Sequence, residues 1–378
     1  MPAANRVLVV GAGIAGTASA TFLAEGGVEV DLVEKNAEVS ALGSGITLQG
    51  NALRVFRQLG VLEQIEAHGY AFTTVGLRAP DPQGTLLVEM QDVRTGGDEL
   101  PATVGMPRPE LARILVERAI DAGANVHFGV EATQLEQHDD GVDVTFSDGS
   151  TARYDLVIGA DGLHSQVRSQ IGIDTKPEPT GMAIWRVFTP RPDSVTRTDL
   201  IYGGPSYIAG YCPTGENSLY AYIVETADAA NFALSGPERV ERMRALSEAY
   251  HGPWDDIRPF ITPERGVNYT FFEAHVVDAP WNRGCVVIIG DAAHSCPPTL
   301  AQGAAQSLED AAVLAELILG ADGLDEGLWR SFTGRRVARA RTVVEASVQL
   351  GQWLIDHDEK ADVPGLMGRI SALVTEPA

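Results

Sequence analysis

Three glycines stand at the spacing G-x-G-x-x-G in "VLVVGAGIAGTASATFLAEGG": Gly11, Gly13 and Gly16. A short apolar run ends at Gly11, and a stretch of helical character, Ile14–Glu25, follows it. Glycines at the mouth of a helix let its free N–H groups approach a pyrophosphate at the positive end of the helix dipole. A second apolar run, 28–33, ends in Glu34, close to the ~20-residue interval at which an acid accepts from a ribose. The chemistry this implies is dinucleotide binding. Two further motifs end buried-strand patterns: Asp161 and Gly162 in "DLVIGADGLHSQVR", and Gly290 and Asp291 in "GCVVIIGDAAHSCPPTLAQGAAQSLEDA". After the second, Pro297 and Pro298 stiffen a turn, and Gln302, Gly303 and Ala304 bring amide donors to a helix start almost without side chains. Such a terminus can lie against a flat polar group and stabilise negative charge on it.

These residues need a scaffold. Residues 6–36 read as a βαβ unit, and Asn51 starts an amphipathic helix. Short alternating runs with turn signals occupy 72–104, a helix 109–122, and "VDVTFSDGST" a hairpin. The chain is β-rich again over 176–264, with strands expected at 182–188, 200–202, 206–212 and 218–224. Helices follow at 237–250, 306–319 and 328–355. The expected fold is α/β: a Rossmann-like domain assembled from 1–70, 105–172 and 275–355, an inserted β-sheet substrate domain from 71–104 and 173–274, and a C-terminal helical segment ending in a tail, 356–378.

A strand at 206–212 would put Tyr207, Ala209 and Tyr211 on one face, and Tyr220 and Tyr222 share a face of the next strand. Arg186, inside the apolar "AIWRVF", reads either as the partner of an anionic ligand or as half of an internal salt bridge. His294 reads as a structural hydrogen-bonder.

With 378 residues and a formal charge of −23, the chain can build a large core and repels phosphate backbones and anionic membranes. No nucleic-acid or membrane partner is expected, and no apolar run approaches the ~20 residues of a membrane span. Cys212, Cys285 and Cys296 lie far apart without a CxxC pair. This argues against a disulfide framework or a metal site and for a cytoplasmic location.

In the order and intervals of its three motifs, the chain resembles the p-hydroxybenzoate hydroxylase-like (group A) FAD monooxygenases over nearly its whole length. The "GSGI", "RPELARIL" and "PTLAQGA" stretches resemble the enzymes acting on hydroxypyridines and hydroxybenzoates. The resemblance implies an FAD-dependent aromatic hydroxylase that uses NADH or NADPH and O2, through a flavin C4a-hydroperoxide, on a small, anionic aromatic or N-heteroaromatic substrate. It implies FAD contacts from Gly11, Gly13, Ala15, Gly16, Glu34, Lys35, Gly45, Arg108, Asp161, Gly162, Asp291, Pro298, Gln302, Gly303 and Ala304, with Arg168 bracing the DG loop. Tyr211 and Pro298 stand at the catalytic positions, and Thr47, Arg186, Tyr207, Tyr211 and Tyr222 at the substrate. Leu300 and Ala305 depart from the glycine and asparagine common in relatives. A homodimer occurs among relatives, but no residue specifies its interface.

Three other readings stay open on sequence alone. A dehydrogenase using the first motif for NAD leaves the DG and GD motifs unexplained. A same-fold flavoprotein reducing or epoxidising a non-aromatic substrate keeps all three, as does a catalytically silent FAD-binding protein.

Overall fold

A computed structural model describes residues 2–39 and 45–378. Six strands form the nucleotide-binding sheet in the order Asn282–Arg283, Val286–Ile288, Leu156–Gly159, Arg6–Val10, Glu29–Glu34, Asn125–Phe128. Every pairing is parallel except that of the short edge strand Asn282–Arg283. Parallel strands covered on both faces must be apolar throughout, which is why Val7–Val10, Leu156–Ile158 and Val286–Ile288 carry no polar side chain. The fingerprint helix Ile14–Glu25 packs against the later helix Gly303–Gly320, so the first and last motifs meet at one end of this sheet.

An eight-stranded sheet stands beside it, in the order His294–Ser295, Asn268–Val276, Glu178–Pro190, Ser218–Thr226, Ile208–Gly215, Thr198–Tyr202, Thr74–Arg78, Leu86–Gln91. Its register aligns Arg186, Tyr222, Gly210 and Leu200 in one row across four strands. Residues of opposite parity, among them Trp185, Val187, Ala209, Tyr211 and Ala221, form a separate core with Met243 and Leu246 of the helix Gly236–Ser247, and with Tyr250 and Trp254. A three-stranded sheet (Gly45–Gln49, Thr103–Pro107, Tyr70–Phe72) bridges the two. The molecule is thus a mixed α/β fold with long C-terminal helices.

Two expectations need correction. The strand expected at 206–212 begins two residues later, at Ile208, because Gly203 and Gly204 hold positive φ and Ser206 bonds away to the Tyr250 hydroxyl at 2.6 Å. The expected tail instead carries a helix, Val363–Thr375, whose Ile370 and Val374 pack with Leu300, Val343, Ala346 and Leu350.

Candidate active site

The three fingerprint glycines do three different things. Gly11 holds φ +104°, and a Cβ there would lie 2.5 Å from the Ala160 carbonyl oxygen. A Cβ on Gly16 would run into the Gly11 carbonyl, so Gly16 sets the close approach of helix to strand. Beside Gly13 a Cβ would meet no protein atom within 4 Å, because that position faces a cavity. No side chain caps the helix that starts after it, so its first N–H groups stay free for a ligand. Glu34 reaches the same cavity from the end of its strand; its carboxylate accepts from Ala12 N at 3.0 Å and Asn36 N at 2.9 Å. This open, uncapped cradle fits the pyrophosphate and ribose of a dinucleotide.

The cavity, about 690 Å³, runs from this cradle to the eight-stranded sheet. Ala12, Gly13, Ala15, Glu34, Gly45, Thr47, Arg108, Gly162, Arg186, Tyr222, Asp291, Pro298, Gly303 and Ala304 all line it. The structure therefore brings together most of the candidates drawn from three distant motifs. Asp291 is exposed to this cleft, and the desolvation it meets there pushes its carboxyl above its ordinary value. A 3₁₀ turn, Pro298–Leu300, leads to Ala301 in the left-handed region at φ 52° and then to the uncapped start of Gly303–Gly320. Cys296 also lines the cavity, but burial pushes its thiol up to about 12, so it stays protonated.

Behind the loop lies a buried ionic cluster. Asp310 accepts from Gly290 N at 2.9 Å, His294 Nε2 at 2.6 Å and Arg336 Nε at 2.7 Å. Burial would raise this carboxyl, yet His294 and Arg336 beside it hold it below its ordinary value. His294 is tied to that cluster, away from the cavity.

Several expected site residues lie elsewhere. Asp161 turns from the cavity: it accepts from Ser165 Oγ, Gln166 N (2.7 Å) and Val167 N (3.0 Å), capping the short helix Gln166–Gln170. Its neighbour Gly162, at φ +80°, faces the cavity instead. Arg168 joins the two loops, donating to Leu163 O (2.9 Å), Ala292 O (2.8 Å) and His275 Nε2 (3.1 Å). Lys35 is exposed and off the cavity. Gly11 and Gly16 are spent on backbone packing, and the Gln302 side chain is buried behind the loop. Tyr207 precedes its strand and shares a hydrogen bond with Thr226 Oγ1 at 2.8 Å.

The largest correction concerns Tyr211. Its ring is fully buried in the core beneath Trp254, on the sheet face away from the cavity, and its hydroxyl donates to Asp199 at 2.7 Å. Two neighbouring tyrosines that do face the cavity are Tyr220 and Tyr222, stacked with ring centroids 5.1 Å apart. Two glycines make room for them: a Cβ on Gly210 would lie 2.6 Å from the Tyr222 hydroxyl, and one on Gly45 would strike the Tyr220 ring. A Tyr-x-Tyr pair opposite a mid-strand glycine was the available signal, but parity is unreadable until the strand's partners are known. Thr198, Leu200, Tyr202, Ile208, Val224 and Phe272, none singled out from sequence, complete this wall.

Arg186 is the decisive side chain. It stands half-buried on the cavity wall and donates to Thr270 Oγ1 at 2.7 Å; among the described residues no carboxylate pairs with it. Burial lowers it to about 10, which leaves it charged near neutrality.

The model of the FAD binding domain family matches residues 4–347. A Bacillus subtilis protein named as an FAD-dependent monooxygenase, YetM, is 30% identical over 374 residues, covering 98% of this chain and 99% of its own. The 6-hydroxynicotinate 3-monooxygenase of Bordetella bronchiseptica is 29% identical, covering 90% of each chain. Among solved structures, Klebsiella pneumoniae HpxO complexed with FAD and uric acid superposes with a TM-score of 0.82 at 22% identity, over 98% of this chain and 97% of that one. With three loops meeting at one glycine-walled cavity and a family match spanning nearly the whole chain, the protein belongs to the FAD binding domain family and is a flavin-dependent monooxygenase of the aromatic-hydroxylase group.

Proposed function

We propose that the protein uses NAD(P)H and O2 to hydroxylate a small aromatic or N-heteroaromatic anion, of the class of hydroxypyridine and hydroxybenzoate carboxylates. The observation that carries this reading is Arg186: a cation without an acid partner among the described residues, on the cavity wall that also holds Tyr220 and Tyr222. A buried charge is retained at cost unless something pairs with it, and a substrate carboxylate would. The name of the Bordetella relative, a hydroxynicotinate monooxygenase, supports the same class.

Gly13, Ala15, Glu34, Arg108 and Asp291 would hold the cofactor along the cradle, with its ring against Pro298, Gly303 and Ala304. When bound, FAD supplies the transfer of reducing equivalents and the activation of O2. The chain's own residues do the rest. Arg186 anchors the anion, the Tyr220–Tyr222 pair bounds the ring plane, and the free N–H groups of Gly303 and Ala304 favour negative charge on the cofactor edge they face.

The test is NAD(P)H oxidation by the FAD-loaded protein, with H2O2 and product mass followed across hydroxybenzoates, hydroxypyridine carboxylates and their neutral amides. Acids should stimulate oxidation, gain one oxygen and release little H2O2, while the amides should not. Equal stimulation by acids and amides would remove the role of Arg186.

A further inference from the structure

The side chain of Gln302 lies where a ligand cannot touch it, yet it immediately precedes the two residues whose N–H groups open onto the cavity. It is 1% exposed and fully bonded. Its Nε2 donates to Gln49 Oε1 and to Asn51 Oδ1 (3.2 Å), and its Oε1 accepts from Asn51 Nδ2 (3.0 Å) and Gln306 Nε2 (3.3 Å). Asn51, also buried, donates a second time from Nδ2 to Glu309 Oε1 at 3.2 Å. That contact decides the direction of the whole set. Glu309 is an acceptor held between Arg336 (2.9 Å) and Arg339 (2.8 Å), so Asn51 must turn its NH2 toward it. Asn51 then offers NH2 to the Gln302 oxygen, and Gln302 in turn offers NH2 to Gln49. Gln49 itself lines the cavity. The bolt sits directly after Ala301, a non-glycine residue in the left-handed region, where a loop needs outside support to keep its course.

We propose that Gln302 and Asn51 are positioning residues: their interlocked carboxamides fix the first turn of the helix Gly303–Gly320, and thereby the direction in which the Gly303 and Ala304 N–H groups meet the flavin ring. This rests on the placement of the ring proposed above. Donors aimed in advance at developing negative charge stabilise the reduced, anionic ring, so the lock raises the reduction potential of the bound cofactor.

The experiment compares wild type with Gln302→Met, Asn51→Ala and the control Gln306→Met. Gln306 sits one turn further along the same helix and contacts Gln302 but not the loop. FAD-loaded protein is equilibrated with redox dyes, and its melting temperature is followed in parallel. Gln302→Met and Asn51→Ala should shift the reduction equilibrium toward oxidised flavin about tenfold, about 30 mV for a two-electron couple. Gln306→Met should lower the melting temperature without that shift. If Asn51→Ala does not fold, Asn51→Asp keeps the shape while removing the donor that Glu309 orients, and should give the same shift. Loss of melting temperature with an unchanged potential in the Gln302 and Asn51 variants would overturn the lock. A wild-type potential equal to that of free FAD would overturn the ring placement itself, and the lock with it.

Discussion

At the scale of single residues, Arg186 and Tyr211 make opposite predictions. Removing the cation by Arg186→Ala should weaken binding of an anionic substrate by about 2 kcal/mol, roughly thirtyfold in Kd, read from the substrate-induced change in flavin absorbance. The neutral amide of the same compound should lose little. Burial lowers Arg186 only to about 10, so the guanidinium keeps its charge and wild-type affinity should stay level from pH 7 to about 9. Tyr211→Phe should leave that affinity untouched. It should instead lower stability by about 1–2 kcal/mol, since Asp199, which also pairs with Arg78 at 2.6 Å, would lose a buried donor. A Tyr211→Phe protein with normal stability and a raised Kd would return Tyr211 to the pocket.

At the scale of elements, the fingerprint and the paired DG and GD loops are separable. Gly13→Ala should leave the cofactor-free chain within about 0.5 kcal/mol of wild type, because no protein atom stands in its way, yet weaken FAD more than tenfold by filling the cradle. Gly16→Ala should cost folding directly through its collision with the Gly11 carbonyl; thermal melts of the two FAD-free variants make the comparison. The two loops meet through Arg168 and His275. Burial, with Arg168 beside it, lowers His275 to about 4 from 6.5. The unfolded chain thus binds a proton near pH 6.5 that the folded chain refuses until about pH 4, so stability rises with pH across that window and is lost on acidification. Over the whole window this amounts to about 3 kcal/mol. Denaturant melts at pH 4.5 and pH 7 should show this slope in wild type and a flatter one in His275→Gln.

For the whole molecule, a charge of −23 acts on an anionic substrate before Arg186 can. The long-range field repels it, whereas the cavity offers two arginines, Arg186 and Arg108. Salt near 0.1 M screens over about 10 Å, which removes the repulsion of distant surface charge more than the contact inside the cavity. The second-order rate of substrate binding should therefore rise several-fold between low and moderate ionic strength, measured by stopped-flow; a fall would mean the entrance is locally basic. No helix among the described residues is long and apolar enough to cross a membrane.

The sequence by itself determined whatever rests on local backbone geometry. The Gly11, Gly13 and Gly16 turn, the acid at Glu34 and the small residues after Pro298 are legible because a turn, a strand end and a helix start each impose their residue types on a few consecutive positions. Glu34, Asp291, Gly303 and Ala304 accordingly meet at one cavity although they come from distant segments. The roles that depend on which way a side chain points belonged to the tertiary structure. Asp161 caps a helix, Gln302 is drawn into a buried amide lattice, and Tyr211 faces the core rather than the cavity. For Tyr211 the reason is the period of a strand. Neighbouring residues point to opposite faces, and only the pairing of Gly210 with Tyr222 and Leu200 decides which face is the cavity wall.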